Sequence, residues 1–213
     1  MRVSYDRGAL SEADLAPTPL AQFRRWLDDA VEAGLPEPNA MVLSTVSAEG
    51  IPSARTVLLK DADARGFAFY TNLSSRKGRD LAATGRVSCV FPWYAVHRQV
   101  VVIGSVTPVP RDEAAAYFAS RPHGSRIGAW ASRQSEVITG RAVLEDRYAE
   151  MLERFPADVS LPDFWGGWMI APETVEFWQG RESRLHDRLR FRRLAVDAGI
   201  DDPAGWAVER LSP

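Results

Sequence analysis

Several short stretches of this sequence concentrate cations and hydroxyls at spacings suited to holding anions. In Asn72-Leu73-Ser74-Ser75-Arg76-Lys77-Gly78, a serine able to cap a helix precedes two cations in the first turn, where the positive end of the helix dipole repels them. A phosphate bound there would remove the conflict, using the free amides, the serine hydroxyl, Arg76 and Lys77 together; two solvated surface charges are the plain alternative. Arg184-Leu185-His186-Asp187-Arg188-Leu189-Arg190 reads as a strand. Its period of two sets Arg184, His186, Arg188 and Arg190 on one face, which is either an exposed basic sheet surface or the wall of an anion pocket. The preceding Phe177-Trp178-Gln179-Gly180 offers an aromatic stacking surface. Arg55-Thr56-Val57-Leu58-Leu59-Lys60 carries a cation at each end, and in a regular strand the odd spacing sends the two to opposite faces. Tyr117, Arg121 and Ser125 recur every four residues, with Pro122 disfavouring one continuous helix; a helix end followed by a turn would converge them on one oxyanion.

Composition narrows what these groups serve. The chain has 213 residues, 46% hydrophobic and 25% charged, the profile of a packed globular protein and long enough for a sizeable core without metal or disulfide support. With 26 basic against 28 acidic residues the net charge is −2, so there is no general attraction to nucleic acid or an anionic membrane, and any anion site must be local. Only two of the basic residues are lysines, Lys60 and Lys77, placing compact ammoniums at two positions in an otherwise arginine-based chain. Cys89 is the sole cysteine, within the apolar run Val87–Phe91, and is expected to be a buried, inert thiol. No apolar stretch approaches a membrane span and no signal-type segment opens the chain, so a cytoplasmic protein is expected. His97, His123 and His186 are too scattered to suggest a metal site. Glycine-rich dinucleotide and P-loop signatures, H-E-x-x-H and G-x-S-x-G are absent.

The elements that must position these groups follow from pattern. Thr18-Pro19 opens a helix with an apolar face of Leu20, Phe23, Trp26, Leu27, Ala30 and Val31, closed by Gly34. Strands are expected at 40–47, 53–61, 67–71, 87–93 and 99–109, with a short helix over 75–84. Helices follow at 112–120, 125–131 and 145–155, then strands near 167–171, 175–179, 184–191 and 206–211. This amounts to about eight strands with inserted helices, no repeat and no linker. The expectation is one mainly β domain over 1–213, an antiparallel closed or nearly closed barrel with peripheral helices, whose residues 1–17 form an N-terminal tail.

Ten ordered segments resemble the pyridoxamine 5′-phosphate oxidase family: Arg55–Lys60, Phe69-Tyr70-Thr71-Asn72, Ser75-Arg76-Lys77, Phe91-Pro92-Trp93, Arg98-Gln99-Val100, Ser120-Arg121-Pro122, Ile127-Gly128-Ala129-Trp130, Phe164-Trp165-Gly166-Gly167, Phe177–Gly180 and Arg184-Leu185-His186-Asp187-Arg188. The likeness runs from Tyr5 to Pro213, departing modestly at Arg181, at Ala95-Val96-His97 and in a lengthened turn over Ala195–Gly205. It implies a split β-barrel homodimer with FMN at the subunit interface. By position, the implied FMN contacts are Arg55, Thr56, Val57, Leu58, Leu59, Lys60, Tyr70, Thr71, Arg76, Lys77, Gln99, Gln134, Ser135, Trp178 and Arg188. The implied substrate contacts are Lys60, Tyr117, Arg121, Ser125, Arg184 and His186, the last two nearest the chemistry, with Arg2 and Tyr5 closing over the substrate. The implied reaction is oxidation of pyridoxamine or pyridoxine 5′-phosphate to pyridoxal 5′-phosphate, with O₂ as acceptor and H₂O₂ as product. Two other readings are a related flavin oxidase acting on, for example, a phenazine precursor, and a non-catalytic carrier of FMN or pyridoxal phosphate.

Overall fold

The computed structural model describes residues 8–213, so Arg2 and Tyr5 lie outside the described residues. Helix α1 (Pro19–Glu32) begins where Thr18 caps it, its side chain accepting from the Ala21 N–H. Its apolar face is buried against the sheet: Phe23 meets Phe67 and Phe91 edge-on, each at 4.8 Å, and Trp26 meets Phe177 at 5.2 Å. Rings of this size, each worth about 2–3 kcal/mol on burial, make α1 the lid of the main core.

Among the described residues nine strands form one antiparallel sheet, which curls into a split barrel: β1 (Ala40–Val46), β2 (Pro52–Leu58), β3 (Asp61–Asp63), β4 (Gly66–Asn72), β5 (Arg86–Trp93), β6 (Arg98–Pro108), β7 (Trp165–Gln179), β8 (Asp187–Arg193) and β9 (Trp206–Arg210). Their order is β2-β1-β5-β6-β7-β4-β3, with β8 pairing β7 and β9 pairing β8. Alternate burial along β1 and β5 is the half-buried pattern expected of such strands. Cys89, on β5, is fully buried and its thiol is pushed up to about 12 by burial, so it stays protonated. Helices α2 (Arg76–Thr84), α3 (Arg111–Ser120), α4 (His123–Ala131) and α5 (Arg141–Arg154) lie outside the sheet pattern. Among the described residues no helix is long and apolar enough to cross a membrane.

Three local expectations change. The segments 167–171 and 175–179 are one strand, β7, because a register shift opposite Ile103 and Gly104 accommodates Pro172, which cannot donate to the ladder. Gly104 is required there, since a Cβ would sit 2.2 Å from the Ala171 carbonyl oxygen. The strand expected at 53–61 ends at Leu58, and β3 forms separately. Most consequentially, β8 starts at Asp187, not Arg184. Ser183 and Arg184 have φ of 57° and 63°, left-handed values that break the extended chain. Arg184 and His186 therefore do not share an alternating strand face with Arg188 and Arg190.

The lengthened turn before β9 is structural. Ile200 is fully buried, its N–H bonds to the Ala64 carbonyl, and its own carbonyl accepts from the Leu20 N–H at 3.0 Å. Leu10, in the expected tail, is also buried, its N–H donating to the Asp187 carboxylate at 3.1 Å.

Candidate active site

A cavity of about 1000 Å³ opens between the edge strand β2, the end of β4, the start of α2, and α3 and α4. Among the described residues five cations line it, Arg55, Lys60, Arg76, Lys77 and Arg121, and no carboxylate does. They fall into two groups.

The first surrounds the N-terminus of α2. Ser75 caps the helix, accepting from the Gly78 N–H at 3.3 Å. Gly78 permits the chain to turn tightly, because a Cβ would lie 2.1 Å from the Leu73 carbonyl oxygen. Lys77 is 8% exposed and its ammonium donates to Gln134 Oε1 at 2.8 Å, Thr71 Oγ1 at 3.0 Å and Ser75 Oγ at 3.3 Å. All three partners are neutral. Burial, with Arg55 nearby, lowers the Lys77 pKa to about 8. The solvated-surface reading of Lys77 is thus excluded. The loop after α4 folds over this terminus: Ser135 accepts from the Arg76 N–H at 3.1 Å, and the Ser132 carbonyl accepts from Asn72. Arg55 reaches in from β2, and burial holds its pKa below the usual arginine value without discharging it.

The second group is aromatic and cationic. Tyr117 stacks on Tyr70 at 4.2 Å, and Tyr70 on Trp165 at 5.6 Å. The Lys60 ammonium lies 6.0 Å from the Tyr117 ring, and the Arg121 guanidinium sits 5.0 Å from the Trp165 ring. Pro122 does end α3: Arg121 is extended at its C-cap and α4 restarts at His123. That break brings Tyr117, Arg121 and Ser125 onto one cavity, as their spacing suggested. Arg121 Nη1 is buried with no hydrogen-bond partner among the described residues, and an orphaned donor on a cation beside a cavity fits an anionic ligand. Arg55 and Lys60 line the same cavity despite their odd spacing, because the strand stops at Leu58.

Of the remaining sequence-derived residues, Thr56, Val57, Leu58, Tyr70, Thr71, Gln134 and Ser135 line the cavity. β2 is an edge strand, so it can offer backbone groups there. Leu59 does not line it: it is 6% exposed and packs in the core. Gln99, Trp178, His186 and Arg188 form a second neighbourhood outside the cavity, and Arg184, two residues before His186, does not line the cavity either. Gln99 is opposite Trp178 and Trp178 opposite Arg188 in the ladder, and the His186 ring lies 4.6 Å from that of Trp178. His186 Nδ1 accepts from the Arg181 N–H at 3.0 Å, which puts the proton of the neutral ring on Nε2. Arg188 is held by Glu176 at 2.8 Å and Arg190 by Glu209 at 2.6 Å, so carboxylates on adjacent strands relieve the repulsion between these cations. Trp165 and Ser53 line the cavity without having been singled out as site residues, although Trp165 stood inside a matching segment.

The family model described as pyridoxamine 5′-phosphate oxidase matches residues 27–155, and that of the pyridoxine 5′-phosphate oxidase C-terminal dimerisation region matches residues 165–213. The chain belongs to the pyridoxamine 5′-phosphate oxidase family. Within it, the pyridoxine/pyridoxamine 5′-phosphate oxidase of Cupriavidus taiwanensis is 54% identical over 213 residues, covering 100% of this chain and 97% of the relative. That of Frankia alni is 56% identical over 216 residues, covering 100% and 87%. Among solved structures, PhzG from Burkholderia lata 383, in complex with tetrahydrophenazine-1-carboxylic acid, superposes with a TM-score of 0.88 at 29% identity, covering 99% of this chain and 100% of that one. A pyridoxamine 5′-phosphate oxidase-related, FMN binding protein from Nostoc punctiforme shares the fold, with a TM-score of 0.69 at 18% identity over 94% of this chain and 100% of that one. The second neighbourhood lies wholly within the matched dimerisation region, except for Gln99.

Proposed function

We propose that this protein is an FMN-dependent oxidase that converts pyridoxamine or pyridoxine 5′-phosphate to pyridoxal 5′-phosphate, with O₂ as acceptor and H₂O₂ as product, and that it works as a homodimer. The observation that carries this reading is one cavity where, among the described residues, five cations and no carboxylate meet in two separate cationic groups. A flavin phosphate and a substrate phosphate need two such groups.

The Ser75, Arg76 and Lys77 terminus, with Arg55, would hold the FMN phosphate, and the edge of β2 would bind the rest of the cofactor through its backbone. When bound, FMN supplies the redox chemistry, accepting a hydride and passing the electrons to O₂. Lys60, Tyr117, Arg121 and Ser125 would grip the substrate phosphate, and the stacked Tyr70, Tyr117 and Trp165 wall keeps water from that side. Arg184, His186, Gln99, Trp178 and Arg188 line no part of this cavity, so they would complete the site of the partner subunit, with Arg184 and His186 orienting the substrate ring. The PhzG likeness supports a second reading, an oxidase of a tricyclic carboxylic acid. Two cations with two hydroxyls suit a phosphate better than a single carboxylate, and the 54% identical relatives favour the first reading.

The purified protein is expected to be a yellow dimer releasing about one FMN per chain on denaturation. A colourless protein that cannot be reconstituted with FMN would end this proposal.

Lys77 gives a pH test. FMN phosphate favours the charged ammonium, so affinity measured by flavin fluorescence is expected to fall by up to about tenfold per pH unit above about 8, where Lys77 titrates, until the loss reaches that of Lys77→Met. Stability of the apoprotein moves oppositely. Its lysine is harder to protonate than in the unfolded chain, so the Lys77 contribution rises with pH from about 8 to 10.5. Lys77→Met is expected to weaken FMN binding by roughly 1.5–3 kcal/mol and to flatten that pH dependence, with turnover recovering in excess FMN. Unchanged affinity would remove Lys77 from the site.

A further inference from the structure

The two halves of the proposed flavin-phosphate group come from different elements, Lys77 from α2 and Arg55 from β2, and one buried carboxylate joins them. Asp80, on α2 just beyond Lys77, is 5% exposed and does not line the cavity. Its Oδ2 accepts from the Thr45 hydroxyl at 2.7 Å and from the Ser53 hydroxyl at 3.3 Å. Thr45 on β1 and Ser53 on β2 are direct cross-strand partners, and Arg55 follows Ser53 by two residues on the same strand face. Arg55 in turn donates through Nη1 to Thr45 Oγ1 at 2.7 Å and through Nη2 to Ser53 Oγ.

Proton counting sets which way this network faces Arg55. A carboxylate only accepts, and each hydroxyl has a single proton. The two hydroxyl oxygens also lie 3.2 Å apart, so the Ser53 proton goes to Asp80 or to Thr45; with the Thr45 proton on Asp80, both oxygens keep a lone pair for Arg55 in either case. We infer that Asp80 is a positioning residue for the phosphate site, fixing the guanidinium of Arg55 through Thr45 and Ser53 without touching it. The inference rests on the FMN reading above and extends it to a residue outside the cavity. Asp80 also places a negative charge behind a group of cations that would otherwise repel one another, and it favours the charged form of Arg55 against burial.

The test is a double-mutant cycle on FMN affinity, with riboflavin, which lacks the phosphate, as the second probe. Asp80→Asn keeps the size and one acceptor but removes the charge and frees the hydroxyl orientation. It is expected to weaken FMN binding roughly 10-fold, the effect of one charged hydrogen bond, while riboflavin affinity stays unchanged. In an Arg55→Met background the same substitution is expected to cost nothing further. Thr45→Val cuts the link while leaving Asp80 in place, and is expected to shift the FMN-to-riboflavin ratio in the same direction even if Asp80→Asn fails to fold. Equal losses for the two flavins, or a full-sized Asp80 effect in the Arg55→Met background, would overturn the inference while leaving the FMN reading intact. Failure of the wild-type protein to bind FMN would instead remove both.

Discussion

Replacing Arg121 with methionine is expected to cost phosphorylated substrates on the order of 2–4 kcal/mol in kcat/KM while barely touching pyridoxine, the same ring without a phosphate. The ratio of the two constants is then expected to fall roughly 30-fold or more, since each 1.4 kcal/mol is a factor of ten. The structure supplies the reason. The guanidinium of Arg121 is packed over Trp165 and Phe118, and its Nη1 is buried with no hydrogen-bond partner among the described residues. Burial lowers its pKa, yet an arginine stays charged, so the site keeps a desolvated cation in place for an anion. Methionine retains much of the apolar contact with the two rings and loses the charged fork. Steady-state kinetics on pyridoxine 5′-phosphate and pyridoxine decide the matter; an equal loss on both would mean that Arg121 supports the fold or the flavin.

Arg184→Leu is expected to leave a folded, yellow dimer whose flavin is reduced on the order of 100-fold more slowly by substrate, the scale of a misplaced reactant. Arg184 is exposed and has φ of 63°, and leucine meets the same backbone strain as arginine there, so stability is expected to change by less than about 0.5 kcal/mol. Single-turnover flavin reduction reads the effect directly, and a normal rate would free Arg184 of any role. The same variant tests whether subunits share sites. Arg184→Leu and Arg121→Met chains, each nearly inactive alone, are expected to recover about a quarter of wild-type activity when mixed and allowed to exchange. Half the dimers are then mixed, and one of the two sites in each is intact. No recovery would mean that both residues serve the cavity of their own chain.

What the sequence disclosed was mostly local. Thr18-Pro19 starting α1, Ser75 capping α2 and Pro122 splitting α3 from α4 are decisions made within a few residues, and each is realised as read. The two cationic groups that line the cavity followed from these local features. What could not be read depends on backbone states or distant partners. Period-two counting placed Arg184 and His186 on a strand, and two left-handed residues end that logic. The same counting separated Arg55 from Lys60, and the early end of β2 rejoined them. The gap read between 167–171 and 175–179 closes because a bulge at Glu173, opposite Ile103 and Gly104, carries β7 past Pro172. Asp80 carried no local signal, since its partners Thr45 and Ser53 lie 35 and 27 residues away.

The proposed chemistry has one direct measurement. The FMN-loaded protein is mixed without oxygen with one equivalent of pyridoxine or pyridoxamine 5′-phosphate, and the flavin colour and the pyridoxal 5′-phosphate formed are followed together. The flavin is expected to bleach as one pyridoxal 5′-phosphate appears per FMN, and the yellow colour to return with H₂O₂ when air is admitted. A flavin that stays oxidised with both phosphates would contradict the assignment, and one bleached only by a tricyclic carboxylic acid would transfer it to the second reading.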